Sequence, residues 1–294
     1  MQFVSALFFR LMVFLFWLLP FRLIYILSDG FAFLLHHVFR YRFGVVRSNL
    51  RRAFPEKDDS EINRLVRLSY RNVADIFVES IKGFTLHPEK QVKRYKLINP
   101  EFLKPYAEKQ QSVMMTAGHY GNWEWGSYFL TLQIPVFNIL VLYKPLKNKM
   151  IDAYMRKRRE STGLAIRSIL ETSKVFEEFK TQPTIFTLIA DQSPSNLTRS
   201  YWVEFMDQPT AFLHGVESYA KKYGLPVVFL DIQRVARGYY ELELSLISDN
   251  PNALAEGEIT ALYAHKMEEV IRKKPEDWLW SHKRWKHQPP ENWV

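Results

Sequence analysis

Residues Ser112–Leu130 read SVMMTAGHYGNWEWGSYFL, and this stretch decides how the rest of the chain is understood. Val113–Thr116 is an apolar run of strand length. Gly118-His119-Tyr120-Gly121 is a corner flanked by glycines. Asn122–Leu132 then has helix-like composition, with Glu124 in its first turn. A buried strand that turns sharply into a helix is half of a βα unit.

Outward from this unit the same alternation repeats. Short apolar, β-rich runs recur at Val136–Leu142, Thr184–Ala190, Val227–Ile232 and Tyr240–Leu246. Between several of them lie charged, helix-like segments at Lys149–Thr162, Thr172–Lys180, Phe212–Tyr223 and Glu256–Lys273. Strands alternating with helices predict an α/β fold with a mostly parallel central sheet flanked by helices. Upstream, Asp58 stands three residues before Glu61 in a capping pattern. Ile62, Leu65, Val66, Ser69, Val73, Ile76 and Phe77 then share one helical face.

Hydrophobic residues make up 47% of the 294, enough for a substantial core, and the chain has no internal repeat or long linker. The absence of cysteine excludes disulfides, thiolate zinc sites and a cysteine nucleophile. A formal net charge of +9 favours anionic partners: phosphorylated lipid, an acidic protein or nucleic acid. No nucleic-acid motif accompanies the charge, and the N-terminus points to membrane instead.

That N-terminus, residues 1–40, is almost wholly apolar. Arg10 and Arg22 leave only Leu11–Phe21 uncharged, shorter than the roughly 20 residues of an ordinary spanning helix. Snorkelling arginines would permit a tilted span, and a buried helical hairpin is the alternative. Arg40, Arg42, Arg47, Arg51 and Arg52 follow with no acid among them, as on the cytoplasmic side of a membrane. The expected organisation is a hydrophobic membrane anchor over 1–40 and a cytoplasmic domain over 41–294.

At the corner, His119 lies at the C-terminal edge of a strand, where ligands gather in open α/β sheets. Within one helix, residues five apart point about 140° away from each other. With His119 placed before the helix, Glu124 is free to reach back to the imidazole. A carboxylate on one ring nitrogen fixes the tautomer and stabilises the imidazolium, leaving the other nitrogen to take a proton from a hydroxyl. If the substrate's own hydroxyl is the nucleophile, no serine is required, which suits acyl transfer from a thioester to an alcohol. No His-Glu-x-x-His pattern or carboxylate cluster supports a metal, and no cofactor is expected.

Longer blocks extend the pattern. GHYGNWEW after an apolar strand resembles the His-x4-Asp/Glu motif of bacterial lipid A biosynthesis acyltransferases. VLYKPLKNKMIDAYMRKRRESTG, LIADQSP, PTAFLHGVESYAKKYGLPVV and PEDWLWSHKRWK resemble further blocks of that family in the same order. Departures are Lys144, where the family usually has Arg, and His214, where Thr often precedes the glycine, here Gly215. The resemblance implies a membrane-bound O-acyltransferase of lipopolysaccharide biosynthesis on the cytoplasmic face of the bacterial inner membrane. It would move a fatty acyl chain from acyl carrier protein to a hydroxyl of an anionic lipid A precursor. A glycerolipid, aminolipid or glycolipid acceptor is the nearest alternative, and a non-catalytic lipid-binding protein a more distant one. His119 and Glu124 are the expected catalytic residues; Arg159, Asp191, Gln192 and Asn122 are expected to contact substrate. For Arg159 the implied task is to grip a phosphate or steady an oxyanion. His282, Arg284 and Lys286 are expected to form a basic terminal stripe: a surface stripe with Trp280 and Trp285 packing underneath, or one that contacts anionic lipid headgroups or supports the site.

Overall fold

In the computed structural model, which describes residues 2–291 and Trp293, the chain begins with two apolar helices, α1 (Gln2–Leu18) and α2 (Phe21–Phe33), the second running on into a π-helical turn at Leu34–Val38. α3 (Phe43–Ala53), α4 (Asp59–Gly83) and α5 (Pro88–Arg94) follow. Then come β1 (Tyr95–Leu97), α6 (Lys104–Glu108), β2 (Val113–Ala117), α7 (Trp123–Phe129), β3 (Asn138–Tyr143) and α8 (Lys149–Glu160). β4 (Ala165–Ser168), α9 (Thr172–Phe179) and β5 (Thr184–Ile189) precede a hairpin of β6 (Ser200–Phe205) and β7 (Gln208–Leu213). The chain closes with α10 (Gly215–Tyr223), β8 (Val227–Ala236), β9 (Tyr239–Ser248) and α11 (Glu258–Lys273).

Seven strands form one sheet in the order β1-β9-β8-β2-β5-β3-β4. β8, β2, β5, β3 and β4 are mutually parallel; β9 pairs antiparallel with β8, and β1 runs parallel to β9. The expected α/β architecture is therefore present, with an antiparallel margin. All five residues of β2 are buried, as a central parallel strand covered on both faces requires. One face packs under α10 and α11 around Phe176, Phe186, Phe229, Tyr263 and Met267. The other packs under α7 around Trp125, Phe129, Ile139 and Ile185.

The capping pattern operates: Asp58 accepts the Glu61 backbone N–H at 2.8 Å. The helix it starts is a 25-residue spine whose buried polar residues bind three parts of the molecule together. Asp75 accepts from Ser28 of α2 and from Arg234 and Arg237 at the end of β8. Glu79 accepts from Tyr25 of α2, Tyr240 of β9 and Asn122 beside the corner. Lys82 donates to the carbonyls of Phe16, Trp17 and Leu19, satisfying the open C-terminus of α1. Phe77, expected on the inward face, is exposed toward α2, where its ring meets Phe31.

α1 and α2 bury few residues of their own. Phe3, Phe8, Phe14, Trp17, Leu23, Ile26 and Phe33 face outward. Phe21–Val38 is long and apolar enough to cross a membrane by length and composition, with only 11% of it buried. A buried hairpin is thus not what these helices make. Of the basic cluster that follows, Arg47 and Arg51 both pair with Asp59, so part of its charge is neutralised locally.

Candidate active site

β2 ends at Ala117 and the chain turns through Gly118–Gly121 into α7. Gly121 has φ 55°, and a Cβ there would sit 2.7 Å from the Ile232 carbonyl oxygen of β8. Only glycine relieves both demands. Asn122 caps α7 by accepting the Trp125 N–H at 3.1 Å, while its own amide donates to Glu79 at 2.7 Å. Expected to contact substrate, Asn122 is instead fully buried and locks the corner to α4.

The carboxylate on the imidazole comes from the neighbouring strand. In the β2–β5 pair Ala117 lies opposite Ile189, and two residues past these strand ends stand His119 and Asp191. Asp191 Oδ1 is 2.5 Å from His119 Nδ1, and its Oδ2 accepts the His119 backbone N–H at 2.8 Å. The Trp278 indole donates to the same Oδ2 at 2.9 Å. Burial would raise the Asp191 pKa, but the charge of His119 and these hydrogen bonds hold it below the usual carboxylate range. Burial would lower the imidazole pKa, but the Asp191 charge and hydrogen bond, with the Glu124 charge behind them, raise it above the ordinary histidine value. With Nδ1–H given to Asp191, Nε2 carries the lone pair and faces the Gln192 side-chain nitrogen at 3.2 Å. The ring stacks edgewise on Trp123, and its side chain is 20% exposed.

Glu124 was expected to hold the imidazole. In the structure its Oε2 accepts from Arg159 Nη2 at 2.5 Å, drawing the C-terminal turn of α8 to the first turn of α7. Its charge still acts on His119 from there. The Arg159 Nε–H is buried and has no partner among the described residues. Asp191, Gln192, Glu124 and Arg159 are thus gathered around His119 at one edge of the sheet.

The C-terminal segment straps this arrangement in place. Gly121 N–H donates to the Asp277 carbonyl and Leu279 N–H to the His119 carbonyl, at 3.0 and 3.1 Å. His282 Nε2 accepts the Ser193 N–H at 2.9 Å, two residues past Asp191. This needs a neutral ring, and burial beside Arg284 pushes the His282 pKa down to about 4. Asn49 of α3 donates to the carbonyls of Trp280 and His282, tying the strap to the first third of the chain. Arg284 is not a surface residue. It is fully buried, donates to the Ala211 carbonyl and lies over the Phe212 ring at 4.1 Å. Burial draws its pKa down to about 10, opposed by the Asp191 charge. The segment therefore supports the site, while Lys286 remains exposed.

A histidine–carboxylate pair at the C-terminal edge of a parallel sheet, with a basic side chain opposite, is a geometry for transfer to a hydroxyl. The chain belongs to the bacterial lipid A biosynthesis acyltransferases, whose family model matches residues 3–287. Among curated proteins it is similar to the lipid A biosynthesis lauroyltransferase of Escherichia coli (strain K12), at 23% identity over 277 residues, covering 92% of this chain and 88% of that protein.

Proposed function

We propose that the protein transfers a fatty acyl chain from the thioester of acyl carrier protein to a hydroxyl of a lipid A precursor at the cytoplasmic face of the inner membrane. The observation that supports the reading is the His119–Asp191 pair, which leaves the second imidazole nitrogen to face the Gln192 side chain at the C-terminal edge of the sheet. The family and its lauroyltransferase relative support the acceptor.

In the proposed reaction the acceptor hydroxyl displaces the Gln192 amide at His119 Nε2 and gives up its proton there as its oxygen attacks the thioester carbonyl. Asp191 stabilises the imidazolium that forms. The carbonyl oxygen becomes an oxyanion, for which the Arg159 guanidinium, oriented by Glu124, supplies charge and an N–H donor. Collapse re-forms the carbonyl, breaks the C–S bond and releases a thiolate. The imidazolium returns the proton to that sulfur, so the products are an ester and a free thiol.

A cleft of about 540 Å³ beside Ala190 is suited to the donor's acyl chain. Leu188, Ile189, Leu213, Val216 and Tyr219 line it, directly preceding or facing the strand end that carries Asp191. Each methylene buried there contributes about 0.8 kcal/mol.

The N-terminal helices are proposed to hold the enzyme on the membrane by lying in the interface. Tyr25, Ser28 and Asp29 bond to α4 and to the end of β8, so the inner face of α2 is committed to the catalytic domain. The outer face is left for lipid.

The test is transfer of a labelled acyl chain from acyl carrier protein to a lipid A precursor in membranes, with His119→Ala and Asp191→Ala variants alongside. The expected result is transfer by the wild type and near-complete loss in both variants. Full activity in His119→Ala would overturn the mechanism, and transfer to another lipid class alone would overturn the acceptor.

A further inference from the structure

Beside the bend between α1 and α2 a cavity of about 990 Å³ opens between the N-terminal helices, α5 and the end of α8. Arg22, Lys82, Lys90, Lys93, Arg94 and Arg158 line it, and no carboxylate does among the described residues. Two of these cations are fixed. Lys82 caps α1 from below. Arg94 lies flat over Phe21 at 3.6 Å and Tyr239 at 4.5 Å, with one N–H given to the Gly238 carbonyl. Arg22, Lys90 and Lys93 are exposed, and no ion pair is found for them among the described residues. Their like charges repel one another across the cavity, and an anion entering it relieves that repulsion.

Place and shape select the anion. Trp17, Pro20 and Phe21 form one wall and continue into the outward apolar faces of α1 and α2. Tryptophan beside lysine and arginine is the composition of the headgroup layer. A concave site of this volume suits a small head group such as a sugar phosphate. The end of α8 links the two places: Arg158 lines the cavity, and the next residue of the helix, Arg159, holds Glu124.

We propose that this cavity binds the phosphate of the acceptor lipid's head group, so that the α1–α2 bend, α5 and the end of α8 fix the acceptor while its hydroxyl reaches His119. This rests on the acceptor reading above and adds where its phosphate is held.

The experiment measures binding, not turnover, and so is independent of whether transfer to lipid A precursor is observed. Full-length protein in neutral detergent is titrated with short-chain phosphatidic acid, with the matching diacylglycerol and with inorganic phosphate, following tryptophan fluorescence and calorimetry. The double variant Lys90→Glu/Lys93→Glu, exposed on α5, is compared with wild type after its folding is checked by circular dichroism. Phosphatidic acid is expected to bind and diacylglycerol not. Inorganic phosphate should compete weakly, and the variant should lose about tenfold or more in affinity for phosphatidic acid. Arg22→Gln is expected to weaken binding in the same direction. Undiminished phosphatidic acid binding by both variants overturns the proposal. So does loss of affinity for acyl carrier protein with phosphatidic acid binding intact, which would assign the face to the donor. Inorganic phosphate binding as tightly as phosphatidic acid would also overturn it, by making the site one for free phosphate.

Discussion

Trp278 donates its indole N–H to Asp191 Oδ2, the same oxygen that accepts the His119 backbone N–H. A residue near the C-terminus thereby fixes the rotamer of the carboxylate that orients the imidazole, and the corner's backbone at once. Removing the donor while keeping the ring's bulk isolates this effect. Trp278→Phe is expected to lower kcat roughly tenfold to a hundredfold, the cost of one hydrogen bond to a buried charge. KM for the acyl donor should stay within error. Steady-state kinetics with the purified enzyme checks this, and an unchanged kcat would reduce Trp278 to packing.

Asp191→Asn should be far more damaging. Asparagine leaves the shape but cannot stabilise the imidazolium and favours the wrong tautomer, a loss of about four orders of magnitude in a comparable triad. The pH profile carries the sign. His119 must be neutral to act as base, and in the wild type its pKa is raised, so activity falls as pH drops through a value above the ordinary histidine one. Without Asp191 the effect of burial predominates and the residual activity should keep its acid limb at lower pH. A limb that does not move would show that another group controls it.

The alternation of strand and helix was legible because buried parallel strands read as unbroken apolar runs, as in β2 and β5. The corner was legible because glycines flank it. The His119–Asp191 contact was not, since it depends on β2 pairing with β5 in the register that sets Ala117 against Ile189, 72 residues away. Glu124 stood nearer in sequence and drew the assignment. Asp191 itself was legible as a site residue; what could have paired it with His119 is the shared offset, each residue lying two beyond the last paired position of its strand. β1 and β4 were too short to register as strands. The β6–β7 turn was hidden because Met206 and Asp207, not glycines, take its positive φ values. The burial of Arg284 was not legible because nothing local announces the Phe205 and Phe212 rings that enclose it.

Glu124 and Arg159 should behave as one unit. Glu124→Gln frees the guanidinium, and Arg159→Met leaves the carboxylate without the cation that orients it. Each alone is expected to lower kcat/KM, and the double variant should lose less than the sum. A coupling of about 1–3 kcal/mol is expected in a double-mutant cycle. Because the Glu124 charge also raises the His119 pKa, Glu124→Gln should shift the acid limb slightly downward, in the same direction as Asp191→Asn but by less. Additive losses with no shift would separate the pair from the imidazole.

The N-terminal helices should prove inseparable from the catalytic domain. A tether can be removed and the enzyme remains folded in solution. Here removal of residues 2–38 takes away Tyr25, Ser28 and Asp29, and with them partners of the buried Glu79 and Asp75 and of Arg237. It also strips Lys82 of its three carbonyls. Glu79 keeps Tyr240 and Asn122 and Asp75 keeps Arg234 and Arg237, but each hydrogen bond lost from these charged groups costs about 1.5–3 kcal/mol, and together the losses are a large share of the stability of an ordinary domain. Glu79 is the sensitive point, because it also holds Asn122 and through it the first turn of α7. The truncated chain, expressed with detergent and purified, is therefore expected to lose its cooperative thermal transition rather than merely its membrane attachment. A soluble truncation that melts like the full-length enzyme would show that α1 and α2 are only an anchor, and that the bonds from α4 to them contribute nothing to the corner.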